Sequence, residues 1–321
     1  KKGIVSDVED IEAEYDTFDT VTAIKEALEG TGCKVELLEA DERLFEKLQA
    51  TRPHIVFNIA EGIHGRGREA QIPAILNFLR IPFSGSDETT LCMALDKALT
   101  KRYLSTFKIK TPKYRLLQDG KPLTGKGLKF PLIVKPNAEG SSKGISDFAV
   151  VENPDELRRL ARENLKKYGQ SMLVEEYICG REFTVAVLGN GDDIIVFPPM
   201  EIKYKKTGEK YVIYSYNVKK NFKEFIECCC PAEISKDLEK KITAAAKKIY
   251  EALQCRDFSR IDFRVSPDGE LYFIEINPLP GLAPGYSDYP MIMEFSGISY
   301  DTVIKMVLNS ALKRHGMIQV G

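Results

Sequence analysis

The chain has 321 residues, 43% of them hydrophobic and 29% charged, with a formal net charge of −1. That length exceeds one ordinary hydrophobic core, so two or three domains are expected. The near-neutral balance gives no general attraction to nucleic acid or a membrane surface, and no apolar run approaches the roughly 18–20 residues of a membrane span.

Residues 1–88 alternate helical and extended patterns. The opening Lys1-Lys2-Gly3 leads into an acidic, loop-like stretch, so a first strand is expected to precede it. A helix follows at 19–29, then a strand at Lys34–Glu39, a helix at 42–51 and the strand His54–Asn58. HIVFN is a short apolar run between turn signals, the pattern of a buried parallel strand. An amphipathic helix at Ala70–Leu79 and the segment PFSGSD close this unit. Loops past the carboxyl ends of strands build ligand sites in open α/β sheets. Glu61-Gly62 and Arg68-Glu69 are therefore candidates.

Residues 89–171 open with helices around 89–107, where Lys97 and Lys101 stand four apart and share a face, by itself better taken as a surface helix face. The strand PLIVKP ends at Pro136, and the loop NAEGSSKG follows at 137–144. Backbone N–H groups and hydroxyls in such a loop can wrap polyphosphate, with the strand lysine Lys135 neutralising charge. It lacks the GxxxxGK[ST] spacing, and read alone it is better taken as a flexible surface turn. A strand at Asp147–Val151 precedes a helix at 154–168, with Asn153 as N-cap and Pro154 at the first helical position.

In residues 172–321, Glu175 and Glu176 sit where an apolar strand breaks, and Glu182 opens the next one. Such carboxylates accept from an adenine amino group or ribose hydroxyls, and are equally plausible as solvent-facing strand ends. The Lys- and Tyr-rich stretch 203–223 reads either as a cationic flap or as a basic surface hairpin. Seven cysteines include the run Cys228-Cys229-Cys230. Adjacent cysteines do not readily pair with each other and no CxxC pairs occur, so a reducing cytoplasm is expected and the run is read as a structural strand end. The helix Ile234–Leu253 places Ile242, Ala246, Ile249 and Leu253 on one face. A last helix spans 300–314.

The segment RIDFRVSPDGELYFIEIN at 260–277 carries the most chemistry. Asp268-Gly269 is a strong signal for a two-residue hairpin turn. That turn sets Asp262 opposite Glu275 and Arg260 opposite Asn277, with Ile261–Ile276 and Phe263–Ile274 paired on the other face. Asp262, Glu275 and Asn277 then converge as hard oxygen ligands, suited to Mg²⁺ and not to zinc or copper. A three-residue loop would shift the register by one and scatter them, and read alone the segment also fits a solvated hairpin face that carries charges.

Taken in order, PFSGSD…ALDKALTK, VKPNAEGSSKGIS, VEEYICGREFTV, RIDFR…FIEINPLPGLAP…S and GISY resemble the ATP-grasp carboxylate–amine ligases. The likeness is strongest to the D-alanine–D-alanine ligase branch and runs from about 54 to 315, more loosely from 13 to 53. It implies a mixed α/β and α+β ATP-grasp fold in three domains: an N-terminal Rossmann-like domain at 1–88, a central subdomain at 89–171 and a C-terminal one at 172–321. ATP would lie between the last two. Lys97 and Lys135 would contact its phosphates. The loop from Glu139 through Gly140, Ser141 and Ser142 would close over the phosphates and first substrate. Glu175 would meet adenine, Glu182 the ribose, and Lys219 the transferring phosphate.

The resemblance further implies that Asp262, Glu275 and Asn277 hold two Mg²⁺ ions, or Mn²⁺ in their place. Arg260 and the Gly281 N–H would stabilise an oxyanion, and Ser287 would receive the second substrate's carboxylate. Small amino acids as substrates, cytoplasmic peptidoglycan synthesis and a homodimer belong to the same expectation. Departures gather at the first-substrate site: Glu61 stands where the family has His, Lys220 where it has Tyr, and Glu14 matches the family glutamate loosely. One extra residue lies between Gly281 and Ser287. D-Alanine is thus the leading substrate, with another dipeptide or peptide-tailoring ligase, or a non-catalytic ATP-binding protein, as alternatives.

Overall fold

The computed structural model describes residues 16–62, 65–139, 149–205, 211, 213 and 222–321. Glu14, Gly140, Ser141, Ser142, Lys219 and Lys220 lie outside them, as does most of the proposed flap.

Two antiparallel sheets dominate. The first is ordered β1 (Tyr114–Leu117), β4 (Met172–Glu176), β2 (Leu132–Pro136) and β3 (Val150–Val151). Leu132, Val134, Met172 and Val174 turn to one face and pack on Leu157 and Ala161 of the helix Pro154–Tyr168. By the two-residue period of a strand, Ile133, Lys135, Leu173 and Glu175 occupy the opposite face. Asn153 caps that helix through the backbone N–H groups of Asp155 and Glu156, as its Asn-Pro start predicts. Since β4 pairs with both β1 and β2, the first sheet extends through Glu176, past the boundary at 171 drawn from sequence.

The second sheet runs β10 (Leu271–Asn277), β9 (Phe258–Val265), β5 (Arg181–Leu188), β7 (Met200–Tyr204), β8 (Ile226–Cys229), with β6 (Ile195–Val196) beside β5. Phe183, Val185, Ile261, Phe263, Phe273 and Ile276 share a core with Ile242, Ala246 and Ile249 of the helix Lys236–Ala252. The helical face expected from sequence is the buried one. The sheet's other face changes character along its strands. At one end Ala186, Leu188 and Phe258 pack on the helices Asp288–Phe295 and Tyr300–Arg314. Toward the other end the same face carries Glu182, Thr184, Arg260, Asp262 and Arg264.

The hairpin differs from expectation in an instructive way. Ser266 and Glu270 close a three-residue loop, Pro267-Asp268-Gly269, with Gly269 at φ 81° and Ser266 N–H donating to Glu270 O at 3.0 Å. Phe263 therefore faces Phe273, not Ile274. A bulge between Phe273 and Glu275 then takes up one residue, and the ladder resumes with Asp262 opposite Glu275 and Arg260 opposite Asn277. Both Phe273 and Ile276 thereby reach the core while Glu275 and Asn277 keep to the other face.

Two further expectations are corrected. Residues 33–40 form no strand, and the stretch around HIVFN contributes only a parallel bridge, Val56 to Phe83. The helices expected around 89–107 do form, as Glu88–Leu95 and Lys97–Thr106. Asp96 leaves helical geometry there and caps the second helix through the Leu99 N–H at 2.9 Å.

The first segment is tied to the rest by Asp257, fully buried at a φ of 64°. Its carboxylate accepts from Gly85 N–H, Asn190 Nδ2, Ser310 Oγ, and Arg314 Nε and Nη2. Arg314 also donates to the carbonyls of Phe83 and Gly85.

Candidate active site

The polar faces of the two sheets supply a continuous set of charges. On the first sheet Lys135 Nζ lies 2.6 Å from Glu175 Oε1, and Lys101 Nζ reaches Glu175 Oε2 at 3.0 Å. All three side chains are buried. Glu175, expected near adenine, thus has its carboxylate bracketed by two lysines. Burial works against the Lys135 ammonium, yet Glu175 and Glu275 hold its pKa above the ordinary lysine value. Burial prevails at Lys101 and brings it down to about 8, against the pull of Glu175.

Lys97 bridges the sheets. Capping by Asp96 puts it in the first helical turn, where its Nζ donates to the Glu139 carbonyl and sits 3.5 Å from Glu275 Oε2. Glu139 accepts from Gln170 at 2.6 Å and pairs with Arg68 at 3.2 Å, while Arg68 also donates to Ala138 O. The candidate loop after HIVFN is drawn in this way against the start of the glycine-serine segment. Glu61 is half-buried in that loop. Its neighbour Gly62 has φ 70° and passes so close to Arg68 that a Cβ would strike the Arg68 carbonyl. Glycine is required there on both counts.

On the second sheet, Asp262 accepts from Thr184 Oγ1 at 2.7 Å and from Arg260 Nε and Nη2 at 3.1 and 2.9 Å. Burial raises the Asp262 pKa and Arg260 opposes it, while the facing charge of Glu275 adds to the rise. Glu275 goes the other way: burial would raise it, but Lys97, Lys135, Arg260 and Lys101 hold it down to about 2. Asn277 accepts from Leu279 N–H at 3.0 Å through Oδ1, an oxygen with a second lone pair. Two opposed carboxylates and an amide form a hard-oxygen donor set that suits Mg²⁺ or Mn²⁺. Among the described residues no group of three or more His, Cys, Asp or Glu is placed to hold a metal ion.

Arg260 has a second acidic neighbour that sequence reading missed. Asp288 is buried at the start of the helix Asp288–Phe295, with Oδ2 3.3 Å from Arg260 Nη1. Burial opposes the Arg260 charge, but Asp262 and Asp288 together raise its pKa above the usual arginine range. Ser287 precedes Asp288, and its Oγ accepts from Ala283 N–H at 3.1 Å and leaves its helix uncapped. A Cβ on Gly281 would come within 2.8 Å of that Oγ, so Gly281 and Ser287 are held close together, and Asp288, next along the chain, pairs with Arg260. Glu182, expected at the ribose, accepts from Arg264 Nη2 at 2.7 Å and Tyr204 Oη at 2.8 Å.

The cysteine run lies at the edge of this sheet, as expected of a strand end. Burial pushes the thiols of Cys228 and Cys230 up to about 12 and about 11, so they stay protonated near neutrality.

Residues 109–309 match the family model for the D-ala D-ala ligase C-terminus. The D-alanine–D-alanine ligase of Aquifex aeolicus is 35% identical over 295 residues, covering 90% of this chain and 93% of the relative. The uncharacterized protein y4sG of Sinorhizobium fredii is 32% identical, covering 90% of this chain and 86% of its own. In fold, the chain is similar to the D-alanine–D-alanine ligase of Bacillus anthracis solved with ATP. That comparison gives a TM-score of 0.77 at 23% identity, over 98% of this chain and 96% of the other. A family match over more than half the chain and a relative this similar over nearly all of it place this protein among the D-alanine–D-alanine ligases, a family of ATP-dependent, ADP-forming carboxylate–amine ligases.

Proposed function

We propose that the protein joins an amino-acid carboxylate to the amine of a second amino acid through an acyl phosphate, with D-alanine as the leading substrate. The observation that carries this reading is the facing pair Asp262–Glu275, with Lys97 and Lys135 toward the first sheet and Arg260 at its side. Asp262, Glu275 and Asn277 would hold two Mg²⁺ ions, or Mn²⁺. Bound there, the metal supplies positive charge to the phosphate oxygens.

Lys97 and Lys135 take further phosphate charge, and Glu175 and Glu182 bound the nucleoside side. A substrate carboxylate oxygen attacks the γ-phosphorus, the bond to ADP breaks, and the acyl phosphate forms. The amine then attacks the acyl carbon, and the tetrahedral adduct expels phosphate. Arg260 and the Gly281 N–H donate to the oxyanion of that adduct, with Ser287 beside them for the acceptor's carboxylate. Positioning and charge neutralisation dominate such a reaction. Glu139 and the loop it begins would close over the phosphates and first substrate, Lys219 would reach the transferring phosphate, and Glu61, Lys220 and Glu14 would complete the proposed site around the first substrate. A cytoplasmic setting is supported by ATP use and by seven free thiols. The two separate sheets support a division between a central and a C-terminal subdomain, with the central one ending after Glu176.

The test is ADP release from ATP and Mg²⁺ with a panel of D- and L-amino acids. Release with D-alanine alone is expected. Release only with other pairs replaces D-alanine with another dipeptide substrate, and ATP binding without ADP across the panel overturns the ligase reading.

A further inference from the structure

Lys101 shares a helix face with Lys97, yet no role in the ligase reading falls to it. Its side chain is among the largest fully buried ones in the molecule. Nζ donates to the Ile274 carbonyl at 3.0 Å, pairs with Glu175 Oε2 at 3.0 Å and lies 5.6 Å from the centre of the Phe273 ring. These contacts reach both sheets from a third element, the helix Lys97–Thr106.

The Ile274 carbonyl belongs to the residue that the bulge takes out of register, beside Glu275. A bulge interrupts the ladder locally, and a buried carbonyl left without a donor is costly. Lys101 supplies a donor at that point. Its other partner, Glu175, is the counter-ion of Lys135. One ammonium therefore joins the bulge next to a proposed metal-holding carboxylate to the pair that sets a proposed phosphate lysine.

We infer that Lys101 is a positioning residue: it locks the Ile274 bulge so that Glu275 and Asn277 face the metal site, and it fixes Lys135 through Glu175. The inference rests on the ligase reading. A residue that served only to fill the interior would affect unfolding, and the folded protein would bind nucleotide and metal as before.

The experiment measures binding of a fluorescent ATP analogue to the full chain across a magnesium titration, alongside thermal unfolding. In Lys101→Met that remains folded, the magnesium midpoint is expected to rise about 10–100-fold, the usual cost of losing a group that orients metal-holding side chains. Lys101→Arg, which keeps both charge and donors, is expected to recover most of the loss. Should Lys101→Met fail to fold, Lys101→Gln replaces it; its amide can serve Ile274 but not the charge of Glu175, and a smaller rise is expected. A folded Met or Gln variant with the wild-type midpoint overturns the inference. A wild-type chain that binds no nucleotide overturns the ligase reading and the inference with it.

Discussion

Glu275→Gln is expected to lower ATP turnover by about 10²–10³, the scale on which a single charge-stabilising group in a reaction site acts. Glutamine preserves the shape of the side chain and its place opposite Asp262, so the ladder and the core beneath it are retained. What changes is charge. Glu275 lies 3.5 Å from Lys97 and is held ionised by Lys97, Lys135, Arg260 and Lys101 together. Without it, the donor set keeps only one carboxylate for a divalent cation, and three lysines lose a counter-charge. ADP release measured against magnesium concentration checks this: a depressed maximal rate and a raised magnesium requirement are expected together. A near-normal rate would remove Glu275 from the metal site.

Asp257→Ala is expected to cost about 3–5 kcal/mol of stability, the range for breaking a buried ion pair from one side. Both carboxylate oxygens are used. Oδ1 accepts from Asn190, Ser310 and Arg314 Nε, and Oδ2 from Gly85 N–H and Arg314 Nη2. Alanine abandons these donors inside the structure and must also adopt the left-handed backbone at φ 64°, which Asp tolerates better. Urea unfolding reads the effect as a lowered midpoint. Asp257→Asn keeps an acceptor oxygen and should fall between. An Ala variant as stable as the parent would show that the clasp carries no net stabilisation.

Two of the helices that cover the sheets are legible from local pattern. The apolar stripe of Lys236–Ala252 and the Asn-Pro start of Pro154–Tyr168 are written in single segments, and both form as expected. The pairing of Asp262 with Glu275 follows from the sequence as well, but through a two-residue turn that does not occur. The signal for the real solution is present in LYFIEIN: Leu271 and Phe273 keep one alternation, and Ile276 keeps the other. An apolar pattern that changes phase within a strand marks a bulge. Asp96 between two helices is likewise a readable cap.

Buried charge was the part that local pattern concealed. Lys101, Asp257 and Asp288 look like ordinary surface residues because their partners stand far along the chain: Glu175 and Ile274 for Lys101, Arg314 for Asp257, Arg260 for Asp288. No periodicity within a helix announces such contacts. The stretches expected as strands at Lys34–Glu39 and His54–Asn58 show the converse, since β-like composition alone does not fix a strand.

The bulge at Ile274 also bears on how the chain can change in length. A three-residue tip followed by one residue out of register leaves Glu275 and Asn277 where a two-residue tip and a regular ladder would leave them. Gains or losses at the apex can thus be absorbed before they reach the base of the hairpin. The oxygen-bearing end is insulated from insertions and deletions at the tip, and drift in sequence length there can be accommodated without re-siting the acidic pair.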